Sequence, residues 1–438
     1  MKTPICDFIA HYTAKQMLRL HMPGHKGQAC PDDITEISGA DSLYEAAGII
    51  RESEQSASSL FGAHTFYSTE GSSHAIRAML YLTGLYAKRQ HTVPRILSAR
   101  NAHKTFVNAA ALLDMEVEWL SAESDSYLSC ASEITVWEKA LKRVSPTAVY
   151  VTSPDYLGNT VDIAALSQLC RRNGVLLLVD NAHGAYLKFL TPSCHPMDLG
   201  ADMCCDSAHK TLPALTGGAY LHIAKTADSL FATHAKTALS LFGSTSPSYL
   251  ILQSLDNLNR YLAEGYAEKL CAFSHKTGWL KEQLRSQGYT LCGNEPLKLT
   301  VCPKSYGYTG TQLSQYLEQC GIMCEFADPD FTVMLFTPEQ GQEVLSRVQT
   351  ALCSLEKQAP LTEIPPVCLL PKRILSPREA LFSPSETVDA AQSEGRVLAC
   401  ATVGCPPAVP LIMCGEQIDE TVVHAFAYYG IQTVQVIH

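Results

Sequence analysis

The chain has 438 residues, of which 46% are hydrophobic and 17% are charged, and its formal net charge is -10. This length predicts about two or three domains. The acidic balance argues against a nucleic-acid partner, because polyphosphate binding usually needs a basic surface. No apolar run reaches the roughly 18 residues that a membrane span requires, so we expect a soluble globular protein without a membrane partner.

The seventeen cysteines indicate a reducing compartment. They are scattered and form no Cys-x-x-Cys pair of the kind that zinc sites and thioredoxin-like centres contain. Residues Met1 to Asp7 do not form the apolar segment of a secretory signal. We therefore expect reduced core thiols and a cytoplasmic location.

A turn-forming cluster, His21-Met22-Pro23-Gly24-His25-Lys26-Gly27, lies near the N-terminus. Its two histidines raise the alternative of a metal site. Pro23 and Gly24 between them disfavour a regular helical pair, however, and no third ligand is evident. We interpret the cluster as a functional loop and expect no metal.

Short apolar stretches alternate with helix-like stretches through the first half of the chain. This alternation predicts an α/β fold with a mostly parallel central sheet covered on both faces. The predicted strands are 95–98, 116–120, 148–152 and 175–179, and the predicted helices are 52–61, 74–82, 103–113, 132–144 and 162–172.

Gly71-Ser72-Ser73 comes directly before an amphipathic run that begins at His74. At a helix N-terminus, free backbone N–H groups and the positive end of the dipole favour an anion. Two hydroxyl groups there can add hydrogen bonds to a phosphate. The alternative is an ordinary serine N-cap without a ligand.

Asp180 follows the apolar strand 175–179. A carboxylate at the end of a buried strand is costly unless it has a partner, and a protonated ring nitrogen of a cofactor would be one. A helix N-cap is the alternative interpretation.

Lys210 follows a second strand-like stretch within Asp206-Ser207-Ala208-His209-Lys210. This places its amine at the carboxyl edge of the sheet, where open α/β folds bind ligands, and a lysine there can form a Schiff base. The alternative is an exposed lysine beyond a buried strand.

The second half of the chain predicts smaller modules. A strand is expected at 217–223, a long helical stretch at 249–287, and a second α/β region at 297–355, with strands near 297–302, 322–326 and 331–336 and helices near 310–319 and 338–355. The expected division is an N-terminal segment 1–30, a major domain 31–290, a small α/β region 291–356 and a C-terminal module 357–438.

Taken together, these motifs resemble the fold-type I enzymes that use pyridoxal 5'-phosphate. More narrowly, they resemble the ornithine/lysine/arginine decarboxylase family in a short form lacking the N-terminal wing domain. The resemblance implies an aminotransferase-like fold, decarboxylation of a basic amino acid in polyamine biosynthesis, and a homodimer whose active site lies at the subunit interface. The motifs that carry it are 21–27, Asn101-Ala102-His103-Lys104, 151–154, 179–184, 207–216 and 245–249.

The resemblance also implies the site residues. Lys210 would form the Schiff base, His103 would stack on the ring and Asp180 would pair with the ring nitrogen. Lys210 or His209 would return a proton to the substrate. The residues expected to bind the cofactor are Gly71, Ser72, Ser73, His103, Asp180, Ala182, His183, Ser207, His209, Lys210, Thr245 and Ser246, the last two reaching the site of the neighbouring subunit.

Two departures from the family pattern keep other functions open. Asn181 stands where the family usually has a glutamate, and Glu70 where it usually has an asparagine. Glu70 could place a negative charge near the expected phosphate site. The alternatives are another reaction on the same scaffold, such as transamination or β-elimination, or a catalytically weakened regulatory homologue.

Overall fold

The computed structural model describes residues 1–120, 133–366, 370–404 and 410–438. The observed strands and helices alternate as an α/β protein, as the sequence predicts. Among the described helices, none combines the length and apolarity needed to cross a bilayer.

The central sheet has the strand order β1-β7-β6-β5-β4-β2-β3. The pairs β2/β3 and β5/β6 are parallel, whereas β7 runs antiparallel to both of its neighbours. Apolar runs such as 176–179 form these strands because their side chains are covered on both faces. The strands are β1 (His64–Ser68), β2 (Arg95–Ser98), β3 (Glu116–Trp119), β4 (Ala148–Thr152), β5 (Leu176–Asp180), β6 (Met203–Asp206) and β7 (Ala219–Ile223).

Ten α-helices lie in the described part of the chain as far as residue 286. Helix α2 (Ile49–Phe61), for example, ends at Gly62, a C-cap in the left-handed conformation that glycine adopts readily. The helices are α1 (Pro4–Ala14), α2 (Ile49–Phe61), α3 (Gly71–Arg89), α4 (Lys104–Leu112), α5 (Ile134–Val144), α6 (Ile163–Arg172), α7 (Ala208–Thr211), α8 (Ser229–Ser240), α9 (Tyr249–Ala263) and α10 (Tyr266–Ser286).

The chain forms two compact units. The first contains residues 1–94, 146–150 and 163–269, and the second contains 95–145, 151–162 and 270–438. In the first unit, β5, β6 and β7 are buried and bring the ends of β5 and β6 side by side, with Asp180 paired to Cys205.

The second unit contains a four-stranded antiparallel sheet in the order β10-β11-β9-β8. Two antiparallel pairs, β12/β15 and β13/β14, lie in its C-terminal part. The remaining elements are β8 (Thr290–Cys292), β9 (Lys298–Cys302), α11 (Gly310–Gln319), β10 (Phe326–Ala327), β11 (Thr332–Leu335), α12 (Glu343–Ser354), α13 (Pro377–Leu381), β12 (Ser385–Asp389), β13 (Thr402–Gly404), β14 (Pro410–Met413), α14 (Glu420–Tyr428) and β15 (Thr433–Ile437).

Most predicted elements are confirmed, and the exceptions have local causes. The predicted helical stretch 249–287 is two helices, α9 and α10, because Gly265 has a φ of +82° that a helix does not accept. The predicted strand 322–326 contributes only its last residue, Phe326. The predicted helix start at Ser132 lies outside the described residues.

Candidate active site

Lys210 lies on α7, one turn beyond the end of β6. Its side chain is half-buried, and its Nζ is 3.1 Å from Nε2 of His183. The imidazole nitrogen accepts a hydrogen bond from the ammonium group. This contact ties the lysine to the chain after β5 and favours a functional lysine over an exposed one.

The proposed anion site is built at the start of α3, which begins at Gly71. Glu70 is the N-cap and makes no side-chain capping bond, so neither Ser72 nor Ser73 is the N-cap of α3. Ser207 Oγ donates to Ser72 Oγ over 2.8 Å, and both residues are buried. Ser73 lies in the same turn. Two chain segments thus bring hydroxyl groups to a helix N-terminus, which suits an anion.

Asp180 is buried at the end of β5 and accepts hydrogen bonds from three groups. Tyr150 OH lies 3.1 Å from Oδ2, and Oδ1 accepts from the Ala182 N–H at 3.1 Å and the Cys205 thiol at 3.5 Å. Among the described residues its donors are all neutral. The carboxylate caps no described helix, so the N-cap alternative is not supported, and a cationic group would complete its pairing.

His209 turns towards the backbone. Its N–H and its Nδ1 both bond to the carbonyl of Gly218, at 3.2 and 3.0 Å. Burial lowers the pKa of His209, so its ring is mainly neutral near pH 7. The neighbouring Gly217 carbonyl accepts the Gly71 N–H at 2.8 Å, so one turn supports both His209 and the start of α3.

The remaining predicted residues lie in different surroundings. His103 belongs to the second unit, where it is the N-cap of α4 and its Nδ1 accepts the Thr105 N–H at 3.2 Å. Its stacking on a cofactor stays a prediction. Thr245 and Ser246 are exposed in the first unit, and their contribution to a neighbouring subunit also stays a prediction.

Both departures from the family pattern have partners. Glu70 Oε1 accepts the Ser244 N–H at 2.6 Å, so this carboxylate is engaged with the loop before α9. Asn181 Nδ2 donates to Oδ1 of Asp206 at 2.6 Å. Asn181 is a neutral amide, and the Glu70 carboxylate at the N-cap of α3 has a hydrogen-bond partner.

Sequence reasoning missed the residues that surround Asp180 and Asp206. Tyr150 and Cys205 contact Asp180 from β4 and β6, and His195 and His222 contact Asp206. One signal was available, because Asp206 ends an otherwise apolar strand just as Asp180 does. Its histidine partners are separated along the chain, and no local pattern indicates them.

The chain is similar to known proteins over most of its length. The family described as Orn/Lys/Arg decarboxylase, major domain, matches residues 3–274. The arginine decarboxylase of Halalkalibacterium halodurans is 29% identical over 461 residues, covering 96% of this chain and 92% of that protein.

Solved structures share the fold. The constitutive lysine decarboxylase of Escherichia coli aligns with a TM-score of 0.78 at 18% identity, over 100% of this chain and 82% of that one. An alanine–glyoxylate aminotransferase from Nostoc sp. aligns with a TM-score of 0.55 at 17% identity, over 69% of this chain and 85% of that one. The predicted aminotransferase-like fold is therefore confirmed.

Proposed function

The chain belongs to the Orn/Lys/Arg decarboxylase family, and we propose that its substrate within this family is arginine, with Lys210 as the lysine that holds the cofactor. It is a decarboxylase of a basic amino acid, and its cofactor is pyridoxal 5'-phosphate. The observation that supports Lys210 is its contact with His183, beside the buried carboxylate of Asp180.

The chemistry of the donor set fits the three polar parts of this cofactor. The hydroxyls of Ser72 and Ser207 at the start of α3 suit the phosphate. Asp180, buried among neutral donors, suits a protonated ring nitrogen. The amine of Lys210 suits the aldehyde. Ser73, Ala182 and His183 lie in the same segments and are proposed to bind it as well.

When bound, pyridoxal 5'-phosphate supplies an electron sink for the electrons left behind as CO2 departs. Asp180 would stabilise the protonated, positively charged form of the ring nitrogen, because a buried anion stabilises a nearby cation. Lys210 can return a proton to the substrate carbon, and His183 holds its Nζ by the 3.1 Å contact. His209 is less suited, because its Nδ1 is committed to Gly218.

Arginine is favoured among basic amino acids because the named curated relatives are arginine decarboxylases. Incubation with arginine, lysine and ornithine, followed by identification of the amine, tests this choice. We expect agmatine, a polyamine precursor, and CO2 from arginine. Cadaverine or putrescine would reassign the substrate, and a keto acid without CO2 would indicate transamination instead.

We also propose a cytoplasmic homodimer. The cysteines in the described part of the chain are all free thiols, which is typical of a reducing compartment. Thr245 and Ser246 are exposed, as expected of groups that serve a neighbouring subunit.

Replacing Lys210 with alanine tests the site directly. We expect Lys210→Ala to abolish decarboxylation and the visible absorbance band of lysine-bound cofactor, because the substitution removes the amine that is proposed to bind the aldehyde. Borohydride reduction of the wild type followed by peptide mass spectrometry should place the cofactor on Lys210. As a control, Lys188→Ala removes a lysine of the same unit that pairs with Asp198, and it should keep the band. A band that persists in Lys210→Ala would refute the assignment.

A further inference from the structure

Asp206 is the centre of a buried polar network in the first unit. Its carboxylate accepts hydrogen bonds from Asn181 Nδ2 at 2.6 Å, from His195 Nε2 at 3.0 Å and from His222 Nε2 at 3.1 Å. All four residues have 0% exposure. Three N–H donors therefore replace the water that a buried carboxylate loses.

A backbone N–H fixes the tautomer of His195. His195 Nδ1 accepts the Met197 N–H at 3.3 Å, so its proton is on Nε2 and points at Asp206. His222 Nδ1 pairs with Thr65 Oγ1 at 2.9 Å. Burial opposes ionisation of Asp206, but the two imidazoles outweigh it and hold the pKa of this carboxyl below its ordinary value.

The cluster resembles a metal site only in composition. Cys204, His195, Asp206 and His222 each place a ligand-type atom within 4.8 Å of the others. A metal-bound histidine usually donates its second ring N–H to an acceptor, whereas the second nitrogen of His195 faces a backbone N–H donor. The arrangement is therefore satisfied as a hydrogen-bond network.

The position of the network in the chain suggests its role. Asn181 directly follows Asp180 at the end of β5, and Asp206 ends β6 directly before Ser207 and four residues before Lys210. Besides the backbone bond from Asn181 N to Cys205 O at 3.0 Å, the Asn181–Asp206 bond ties these two ends together. A glutamate at 181 would instead meet Asp206 as a second carboxylate.

We propose that the Asn181–Asp206 bond is a positioning link that sets the end of β5, with Asp180, against the end of β6, with Ser207 and Lys210. The proposal rests on the proposed function of Asp180 and Lys210. In this proposal the link acts through these neighbours, so Asn181 is a positioning residue rather than a catalytic one. Misplacement of a reacting group by about 1 Å can lower the rate about 100-fold. We therefore expect loss of the link to lower kcat more than it changes KM.

The test is Asn181→Ala, with Asn259→Ala as the matched control. Asn259 is equally buried in the same unit, and its amide donates to Ser53 O at 3.1 Å and Tyr67 OH at 2.7 Å, away from the strand ends. Both variants are assayed well below their melting temperatures. We expect Asn181→Ala to lower kcat about tenfold with KM within about twofold, and to shift the visible band of the bound cofactor. Asn259→Ala should change none of these.

A second variant, Asp206→Asn, separates the link from the charge. The new amide keeps the shape, offers its oxygen to the histidines, and can donate to Asn181 Oδ1 once the Asn181 amide turns over, because Asn181 now presents its Nδ2 to residue 206 and its Oδ1 has no hydrogen-bond partner among the described residues. The link then survives with its direction reversed. We expect Asp206→Asn to retain clearly more kcat than Asn181→Ala. An equal loss in these two variants would overturn the link in favour of a purely electrostatic role.

Equal behaviour of Asn181→Ala and Asn259→Ala, or an effect confined to KM, would also overturn the proposal. Its failure is distinguishable from failure of the proposed function. If Lys210→Ala abolishes the band while Asn181→Ala matches its control, only the positioning link is refuted.

Discussion

His74 illustrates how a single buried ring supports the proposed anion site. It lies one residue beyond Ser73 with 0% exposure, and its Nε2 donates to the Leu239 carbonyl at 2.6 Å. Its Nδ1 can therefore accept from Ser68 Oγ at 3.0 Å. Burial lowers the pKa of His74, so the folded protein holds the ring neutral and fastens the first turn of α3 to the end of β1 and to α8.

This lowered pKa predicts a pH-dependent contribution to stability. The stabilisation by His74 is complete above the unfolded-state pKa of about 6.5, and it is lost as pH falls below that value, because the unfolded chain then binds a proton that the folded chain refuses. We expect the stability difference between wild type and His74→Gln to shrink as the pH falls from roughly 7.5 to 5.5, through the unfolded-state pKa. Urea unfolding at both pH values measures it. A difference independent of pH would show equal protonation of His74 in both states.

Two glycines show how backbone conformation places whole elements. Gly71, with φ at +72°, begins α3, and Gly265, with φ at +82°, separates α9 from α10. At Gly71 the nearest atom to an added Cβ is His209 Cε1 at 3.9 Å, and at Gly265 nothing lies within 4 Å. In both cases the cost of a side chain is conformational rather than steric.

This match makes Gly265→Ala a control for Gly71→Ala. Each substitution should lower stability by about 1 to 2 kcal/mol, the cost of a left-handed residue with a Cβ. Only Gly71→Ala should also weaken cofactor affinity, because the strained chain can relax by moving the start of α3 away from the phosphate. A loss of about 1.4 kcal/mol of binding free energy would weaken the affinity about tenfold. Thermal unfolding and titration of apoprotein with pyridoxal 5'-phosphate check the two effects. Equal affinities in both variants would show that the start of α3 does not bind the phosphate.

At the scale of the whole molecule, an exposed apolar run extends from the end of α1 into the His21–Gly27 cluster. It consists of Met17, Leu18, Leu20 and Met22, which are 59%, 84%, 83% and 67% exposed. A run of this kind is unfavourable in water and typical of an interaction surface. A second copy of the chain is the partner that the proposed homodimer supplies.

We therefore expect a native mass near twice 47.8 kDa. The double substitution Leu18→Glu and Leu20→Glu should shift the protein towards the monomer, because it buries charge at the interface, and should lower activity as the neighbour's Thr245 and Ser246 are lost. Met323, also exposed at 79% but in the second unit, provides the control Met323→Glu, which should stay dimeric. Sedimentation equilibrium measures all three proteins. A fully active wild-type monomer would contradict the dimer.

The sequence by itself determined the α/β class, most element positions and the three polar motifs. These are local properties, because apolar runs predict buried strands and a Gly-Ser-Ser start predicts a helix N-terminus. The helix break at Gly265 was missed because the periodicity of α9 and α10 continues across it.

Only the tertiary structure decided how the polar groups pair. The structure shows that β7 runs antiparallel to β6. It also joins segments that are separate in the chain, through the Tyr150–Asp180 bond and through the contacts of Asn181, His195 and His222 with Asp206. An aspartate at the end of an apolar strand indicates, from the sequence alone, a buried carboxylate that needs hydrogen-bond donors. Which residues supply them depends on strand order and packing, which no local pattern encodes.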